Sequence, residues 1–251
     1  MGISQSRLDG DAAEGGGEGM NELKPYYQDS LVTLYHGDCL EVIPKLDLRF
    51  DMVITDPPYG INYKTSWRVK HDSLVEPIEN DADLSILKKA WPLIDSALKG
   101  DGHWYCFASP QKLTEAIAIT APKQILCWDK GDRGTVGDLS CGFGEAWEAI
   151  LYGIMPGRKP LNGSRPRSVI RYDWSATMDP VHPTVKPVFL LTKLIGVSSK
   201  PDDLILDPFA GSGTAGMAAK DLNRRAVLIE TSERYCEIAA NRCSQETMKL
   251  V

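Results

Sequence analysis

The sequence predicts an α/β fold: a mostly parallel sheet with helices on both faces and one small irregular insertion. Three observations predict it. Short apolar runs of strand length alternate with stretches of helical spacing on both sides of an irregular middle. A glycine-rich turn, AGSGTAG at 210–216, stands between an apolar run and a helical one, the order in which open α/β sheets build ligand sites. And 251 residues, 43% hydrophobic and 25% charged, are enough for one large domain with a core of its own.

The composition also excludes. No run of about 18 apolar residues exists, so no membrane-spanning helix is expected. No charged-then-apolar leader opens the chain, and the six cysteines never form a C-x-x-C pair. Reduced thiols in a cytoplasm are therefore expected, rather than a disulfide scaffold or a zinc ribbon, and no metal is expected. A net charge of −6 argues against a globally basic coat and leaves room for a local basic patch.

Residues 1–22 read as a disordered tail, since the first nineteen carry four acids, one base and almost nothing to bury. Residues 30–36 alternate like a strand, and 39–46 follow with helical spacing. Phe50–Thr55 is a buried strand that stops at Asp56-Pro57-Pro58, because two prolines cannot continue a ladder. Residues 84–98 read as a helix, bent or restarted at Pro92, and 102–108 and 124–128 as strands with a helix over 112–119 between them. From 186 the pattern runs helix (186–196), strand (204–206), helix (214–222), strand (Arg225–Glu230) and a long helix over 232–247. Between about 130 and 180 glycines and prolines are frequent, with only brief strand-like pieces at 146–152 and 168–172. This stretch is expected to be an insertion outside the sheet.

The glycine turn sits in the segment LILDPFAGSGTAGMAAKDLNRRAVLIE, where Gly211, Gly213 and Gly216 have the G-x-G-x-x-G spacing and Glu230 closes the next strand. The spacing alone is weak, but strand, turn, helix, strand and acid occur in the required order. A tight turn with no ligand remains the bland alternative. A dinucleotide would place a pyrophosphate over the helix N-terminus, yet Asp207 stands beside that place. An acid there suits a cationic or zwitterionic ligand, such as the aminocarboxypropyl part of S-adenosylmethionine. Too few residues follow the turn to complete a nucleotide-binding sheet, so the remaining strands come from the N-terminal half and the order is permuted.

Asp56-Pro57-Pro58-Tyr59 ends its strand where α/β sheets place ligands. The Asp56 carboxylate and the Pro57 carbonyl can together accept both hydrogens of an exocyclic amine, and Tyr59 offers a flat face for a planar heterocycle. Such an amine is a poor nucleophile because its lone pair is delocalised into the ring. Holding both hydrogens localises the lone pair and aims it at an electrophilic methyl. A rigid proline turn with a capping Asp is the alternative reading.

The segments YHGDCLEVI…FDMVITDPPYG, HPTVKP (182–187) and LDPFAGSGTAG, in this order, resemble the amino-group (N6-adenine/N4-cytosine) DNA methyltransferases, with the motif order of their β group. The resemblance implies a Rossmann-like S-adenosylmethionine-dependent methyltransferase fold with a mostly parallel seven-stranded sheet. It also implies S-adenosyl-L-methionine as cofactor and double-stranded DNA as substrate. Carried over by position, Asp56, Pro57, Pro58 and Tyr59 hold and stack the flipped base. Asp207, Phe209, Gly211, Ser212, Gly213 and Thr214 line the methionine side of the cofactor. Glu230 takes the ribose hydroxyls, Asp38 and Cys39 lie by the adenine, and Thr184 and Lys186 reach the cofactor carboxylate. His182 reads as a turn residue. Ala215 departs from the second threonine that the family often shows.

A base amine is reachable only outside the stack, so a phosphate-binding surface is needed as well. Arg158, Lys159, Arg165, Arg167 and Arg171 supply five positive charges with no intervening acid, with Asn162 and Ser164 as candidate base readers. A solvated charged loop is the alternative. The loop from 61 to about 81, with Lys64, Trp67, Arg68 and Lys70, either closes over the base or simply moves. The domain reading is then 23–129 as catalytic half, 130–180 as target-recognition insertion and 181–251 as cofactor half. The expectation is an adenine-N6 DNA methyltransferase of a bacterial or phage-infected cytoplasm. Cytosine N4 stays open as the target, as do a homodimer and a cognate restriction enzyme as partners. The rivals from other classes are an NAD(P)-dependent oxidoreductase and a catalytically silent nucleic-acid-binding relative.

Overall fold

The computed structural model describes residues 23–61, 81–131, 143–171 and 185–245. The expected tail, the stretch holding Lys64, Trp67, Arg68 and Lys70, and both His182 and Thr184 lie outside the described residues. In chain order the strands are β1 (Tyr27–Gln28), β2 (Val32–His36), β3 (Phe50–Thr55), β4 (Leu98–Ala108), β5 (Gln124–Asp129), β6 (Trp147–Ile154), β7 (Val169–Arg171), β8 (Leu204–Asp207) and β9 (Arg225–Glu230). The helices are α1 (Cys39–Val42), α2 (Ser85–Ala97), α3 (Leu113–Thr120), α4 (Val188–Ser198), α5 (Thr214–Asp221) and α6 (Glu233–Ser244). All nine described strands form one sheet in the order β1-β2-β9-β8-β3-β4-β6-β5-β7.

Strand alternation divides the core. Met52 and Ile54 of β3 and Tyr105 and Phe107 of β4 face α4, α5 and α6. Val53, Trp104 and Cys106 face α1, α2 and α3. Both faces are covered, as near-continuous apolar strands require. Within α2 the spacing of Leu87, Ala90, Trp91 and Ile94 buries one stripe on the sheet. The helix runs through Pro92 without restarting, and Asp83 accepts from the Ser85 amide at its start.

Seven strands, β2 through β5 in sheet order, make the expected sheet; β1 and β7 are short additions at its two edges. The middle of the chain differs from expectation. The described strands of the 130–180 stretch do not stand outside the sheet: β6 runs antiparallel between β4 and β5, and β7 pairs parallel with β5. The physical reason is burial. Ala149, Ile150 and Leu151 are inaccessible to solvent, so this apolar piece fills the gap between two strands instead of crossing a surface.

The chain leaves β3 through α2 to β4 on one side and leaves β8 through α5 to β9 on the other. Since β3 and β8 are neighbours, the strand order reverses between them, and open α/β sheets bind ligands at the carboxyl ends of such strands. Asp56 follows β3 at that crevice and Asp207 closes β8. Because β6 is antiparallel, its first residues, Trp147 and Glu148, reach the same edge.

Among the described residues no helix is long and apolar enough to cross a membrane, and no group of His, Cys, Asp and Glu is placed to hold a metal ion.

Candidate active site

Two neighbouring sets of residues occupy the carboxyl edge. The first is a cleft lined by Asp38, Cys39, Pro58, Ile86, Pro208, Phe209, Ile229, Glu230 and Thr231. Its apolar walls, Ile86, Phe209 and Ile229, suit a flat ring. Asp38 caps α1 by accepting from the Leu40 amide at 2.8 Å, and Cys39 is buried behind it. Glu230 accepts from the Gly211 amide at 2.8 Å and the Ser232 amide at 2.9 Å, which fixes its carboxylate at the rim with lone pairs left for hydroxyl donors. Burial pushes the Glu230 carboxyl above its ordinary range.

Asp207 is a strongly perturbed acid. Burial, with Asp56 and Glu230 nearby, pushes its carboxyl up to about 8, against the pull of the Phe209 amide. A buried carboxyl with two acids beside it is stabilised in its charged form by a cation. A ligand carrying a sulfonium and an ammonium group supplies that charge, and a dinucleotide pyrophosphate does not. The residues present therefore fit S-adenosylmethionine.

The glycine turn divides its labour. Gly211, at φ +50°, has open space where a Cβ would stand, so its backbone can approach a ligand. Gly213, at φ +81°, instead packs against α6, where a Cβ would meet that of Ala239 at 2.8 Å. Ser212 and Thr214 are buried and turned toward α6, where Arg242 donates to the Ser212 carbonyl (2.9 Å), its hydroxyl (2.6 Å) and the Thr214 hydroxyl (3.3 Å). Gly213, Ser212 and Thr214 thus also support the turn, because they pack against and hydrogen-bond to α6.

The second set surrounds Asp56. Tyr59 donates its hydroxyl to Asp56 Oδ1 at 2.6 Å, and Lys186 Nζ lies 2.8 Å from Asp56 Oδ2. Lys186 is also 3.2 Å from Glu148 Oε2 and sits over the rings of Tyr59 and Phe107. Lys130 donates to the other Glu148 oxygen. Burial raises Asp56 while Lys186 opposes it; burial would raise Glu148 too, but the two lysines bring it below its ordinary range. Pro58 belongs to the cleft of the first set, so the two sets share a wall.

The Lys186 ammonium, which the resemblance places at the cofactor carboxylate, bridges Asp56 and Glu148, the two acids that enclose it. Glu148 was missed. The signal that could have found it is a lone acid in an otherwise apolar run, WEAILYGI, since a charge in a buried strand needs a partner.

The basic block is split. Lys159 is paired with Asp203 at 2.8 Å and lies 3.9 Å from Asp51, and the Arg158 amide donates to the Met155 carbonyl in the turn after β6. Both sit at the amino edge of the parallel strands, opposite Asp56, whereas the sequence groups them with the other DNA-binding charges; β6 carries the chain away from the site. Asn162 donates to the Gly196 and Ser199 carbonyls, which ties it into the fold. Arg165 and Arg167 are exposed, and Arg171 ends β7 at the catalytic edge, 3.9 Å from Asp129.

A mostly parallel sheet with a buried acid at its switch point and the Asp56-Pro57-Pro58-Tyr59 turn beside it fits the class of S-adenosylmethionine-dependent methyltransferases. Residues 157–241 match the family model described as DNA methylase (N6/N4). The chain is 30% identical to the Type II methyltransferase M2.MboI of Moraxella bovis, over 90% of this chain and 93% of that one. It is 29% identical to M2.DpnII of Streptococcus pneumoniae, over 89% and 93%. Among solved structures it resembles the cytosine-N4-specific PvuII DNA methyltransferase, with a TM-score of 0.69 and 18% identity over 90% of this chain and 91% of that one. It also resembles M1.HpyAVI in complex with SAM, with a TM-score of 0.64 and 23% identity over 86% and 100%. The chain belongs to the amino-group DNA methyltransferase family, and it is a site-specific DNA methyltransferase using S-adenosyl-L-methionine. The oxidoreductase reading of the glycine turn falls with this.

Proposed function

We propose that the protein methylates the N6 amine of a flipped adenine in DNA. The observation that carries the reading is the position of Asp56-Pro57-Pro58-Tyr59 at the switch point, sharing Pro58 with the cleft lined by Asp38, Phe209 and Glu230. When bound, S-adenosylmethionine supplies an electrophilic methyl group. Asp56 and the Pro57 carbonyl accept the two amine hydrogens, Tyr59 stacks on the base, and Asp56 takes the proton that the amine sheds. Asp38 and Cys39 lie by the adenine of the cofactor, Glu230 takes its ribose hydroxyls, Asp207, Phe209, Gly211, Ser212, Gly213 and Thr214 line its methionine side, and Thr184 and Lys186 reach its carboxylate.

Arg165, Arg167 and Arg171, within the 130–180 region, serve the DNA backbone. Residues 23–129 act as the catalytic half and 181–251 as the cofactor half. Asp rather than Ser before the two prolines favours adenine. The likeness to a cytosine-N4-specific enzyme keeps cytosine N4 as the second reading. We extend the reading to two partners, a restriction endonuclease of the same target and a second copy of the chain. Protection of methylated DNA from cleavage and sedimentation of the purified protein test them.

The central test incubates the protein with genomic DNA and labelled S-adenosylmethionine and identifies the methylated nucleoside by mass. N6-methyladenine is expected; N4-methylcytosine would change the base, and an unmethylated DNA would overturn the reading. Asp56→Ala is expected to lower methyl transfer by at least about 100-fold, the scale of losing a positioned proton acceptor, with DNA and cofactor binding retained. Retained methylation in that variant would remove Asp56 from the mechanism.

A further inference from the structure

Three charged groups and one hydroxyl close a ring at the carboxyl edge, with a fourth charge behind it. Lys186 Nζ bridges Asp56 Oδ2 at 2.8 Å and Glu148 Oε2 at 3.2 Å. The Tyr59 hydroxyl stands 2.6 Å from Asp56 Oδ1 and 3.2 Å from the same Glu148 oxygen. Lys130 holds Glu148 from behind through Oε1, and the side chains of Glu148 and Lys186 are 14% and 9% exposed. Among these four groups two carboxylates face two ammonium groups.

The Tyr59 hydroxyl has a single proton and two acceptors in reach, so at any moment it donates fully to one of them. In the structure the shorter bond goes to Asp56. That bond sits on the oxygen a base amine needs, and a second acceptor is held ready only because Lys130 and Lys186 fix Glu148.

We propose that Glu148 is a positioning residue for methyl transfer: it receives the Tyr59 hydroxyl when a target amine takes Asp56 Oδ1, and it shares Lys186 so that Asp56 keeps its strength as an acceptor. This rests on the reading of Asp56 as the amine acceptor. The geometry accounts for the acid inside an apolar strand, for the lysine between two acids, and for the placement of Tyr59 between the same two. Glu148 acts through Tyr59 and Lys186 and does not itself touch the base.

The test is a double-mutant cycle in single-turnover methyl transfer from labelled S-adenosylmethionine into DNA, with Glu148→Gln, Tyr59→Phe and the pair. Glu148→Gln is expected to bind cofactor and DNA within about twofold of wild type and to transfer methyl about tenfold more slowly, a loss typical of contacting, coupled groups. In the Tyr59→Phe background, where no hydroxyl has to be displaced, the same substitution is expected to cost about threefold or less. Equal losses in both backgrounds, or no loss, overturn the proposal.

A pH profile gives an independent reading. Asp56 is faced by Tyr59 of its own turn, Lys186 before α4, Glu148 of β6, Cys106 of β4 and Asp207 of β8. Glu148 raises Asp56, so removing its charge moves the acid limb of the single-turnover profile to lower pH; an unmoved limb counts against the proposal. Should Glu148→Gln fail to fold, Glu148→Gln with Lys130→Met removes one charge of each sign and carries the same expectations. Each variant is compared with its parent on whichever nucleoside the parent methylates. A cytosine product therefore corrects the base alone, and a wild type that methylates no DNA overturns both readings.

Discussion

At the scale of the residue, the acid that ends β8 sets a pH dependence. Without a ligand the Asp207 carboxyl sits at about 8, so it holds its proton at neutral pH. A cation bound beside it favours the charged form, and the proton must then leave. Below 8 each pH unit weakens binding by up to about tenfold, and above 8 the dependence levels off. Titration calorimetry between pH 6 and 9 should show S-adenosylmethionine binding tighten as pH rises, and Asp207→Asn should flatten the profile. A flat wild-type profile would remove Asp207 from the cationic subsite. The position of this acid was legible in the sequence, as were those of Asp56 and Glu230, because each closes a strand on a polar residue beside a turn. The partner of Lys186 was not: Glu148 approaches it from a strand far away in the chain, and no spacing rule connects the two.

At the scale of the element, the glycine turn is as much a packing device as a ligand loop. Gly213→Ala would force a Cβ into the Ala239 methyl at 2.8 Å from a left-handed backbone position. Strain and overpacking together should cost about 2–4 kcal/mol, seen as a lower denaturation midpoint. Gly211→Ala meets nothing within 4 Å and keeps only the backbone strain, about 1–2 kcal/mol, while its methyl enters the ligand side and weakens cofactor binding. Equal destabilisation by the two would contradict this division. Most elements were legible to within a few residues, and β3 and β9 to the residue, since proline and acidic stops punctuate them. β6 was seen as a strand and placed wrongly. A local pattern reports burial, but it does not say which two strands supply it, and an antiparallel strand entering from an irregular stretch has no helical crossover to announce it.

At the scale of the whole molecule, the sheet has a reactive edge and a structural edge, and a run of basic residues close in sequence is divided between them. Lys159 is held at the amino edge by Asp203 and Asp51 with its side chain 17% exposed, so it is a tether of the turn after β6. Arg171 closes β7 at the edge where Asp56 stands and is 68% exposed. The run gave one charge pattern because sequence distance ignores the turn at 155–163, which reverses the chain's course across the sheet. The two residues should therefore fail differently. Lys159→Ala should destabilise the fold by about 1–2 kcal/mol, between the limits for exposed and buried pairs, and leave DNA affinity and its salt dependence unchanged. Arg171→Ala should leave stability within about 0.5 kcal/mol of wild type, weaken binding to all duplexes alike, and reduce the slope of log affinity against log salt by about 0.9. Fluorescence anisotropy with a duplex at several salt concentrations, beside thermal unfolding of both variants, measures each quantity. A salt slope altered by Lys159→Ala and untouched by Arg171→Ala would place the DNA on the amino edge, and with it the base-flipping geometry argued from Asp56 would have to be abandoned.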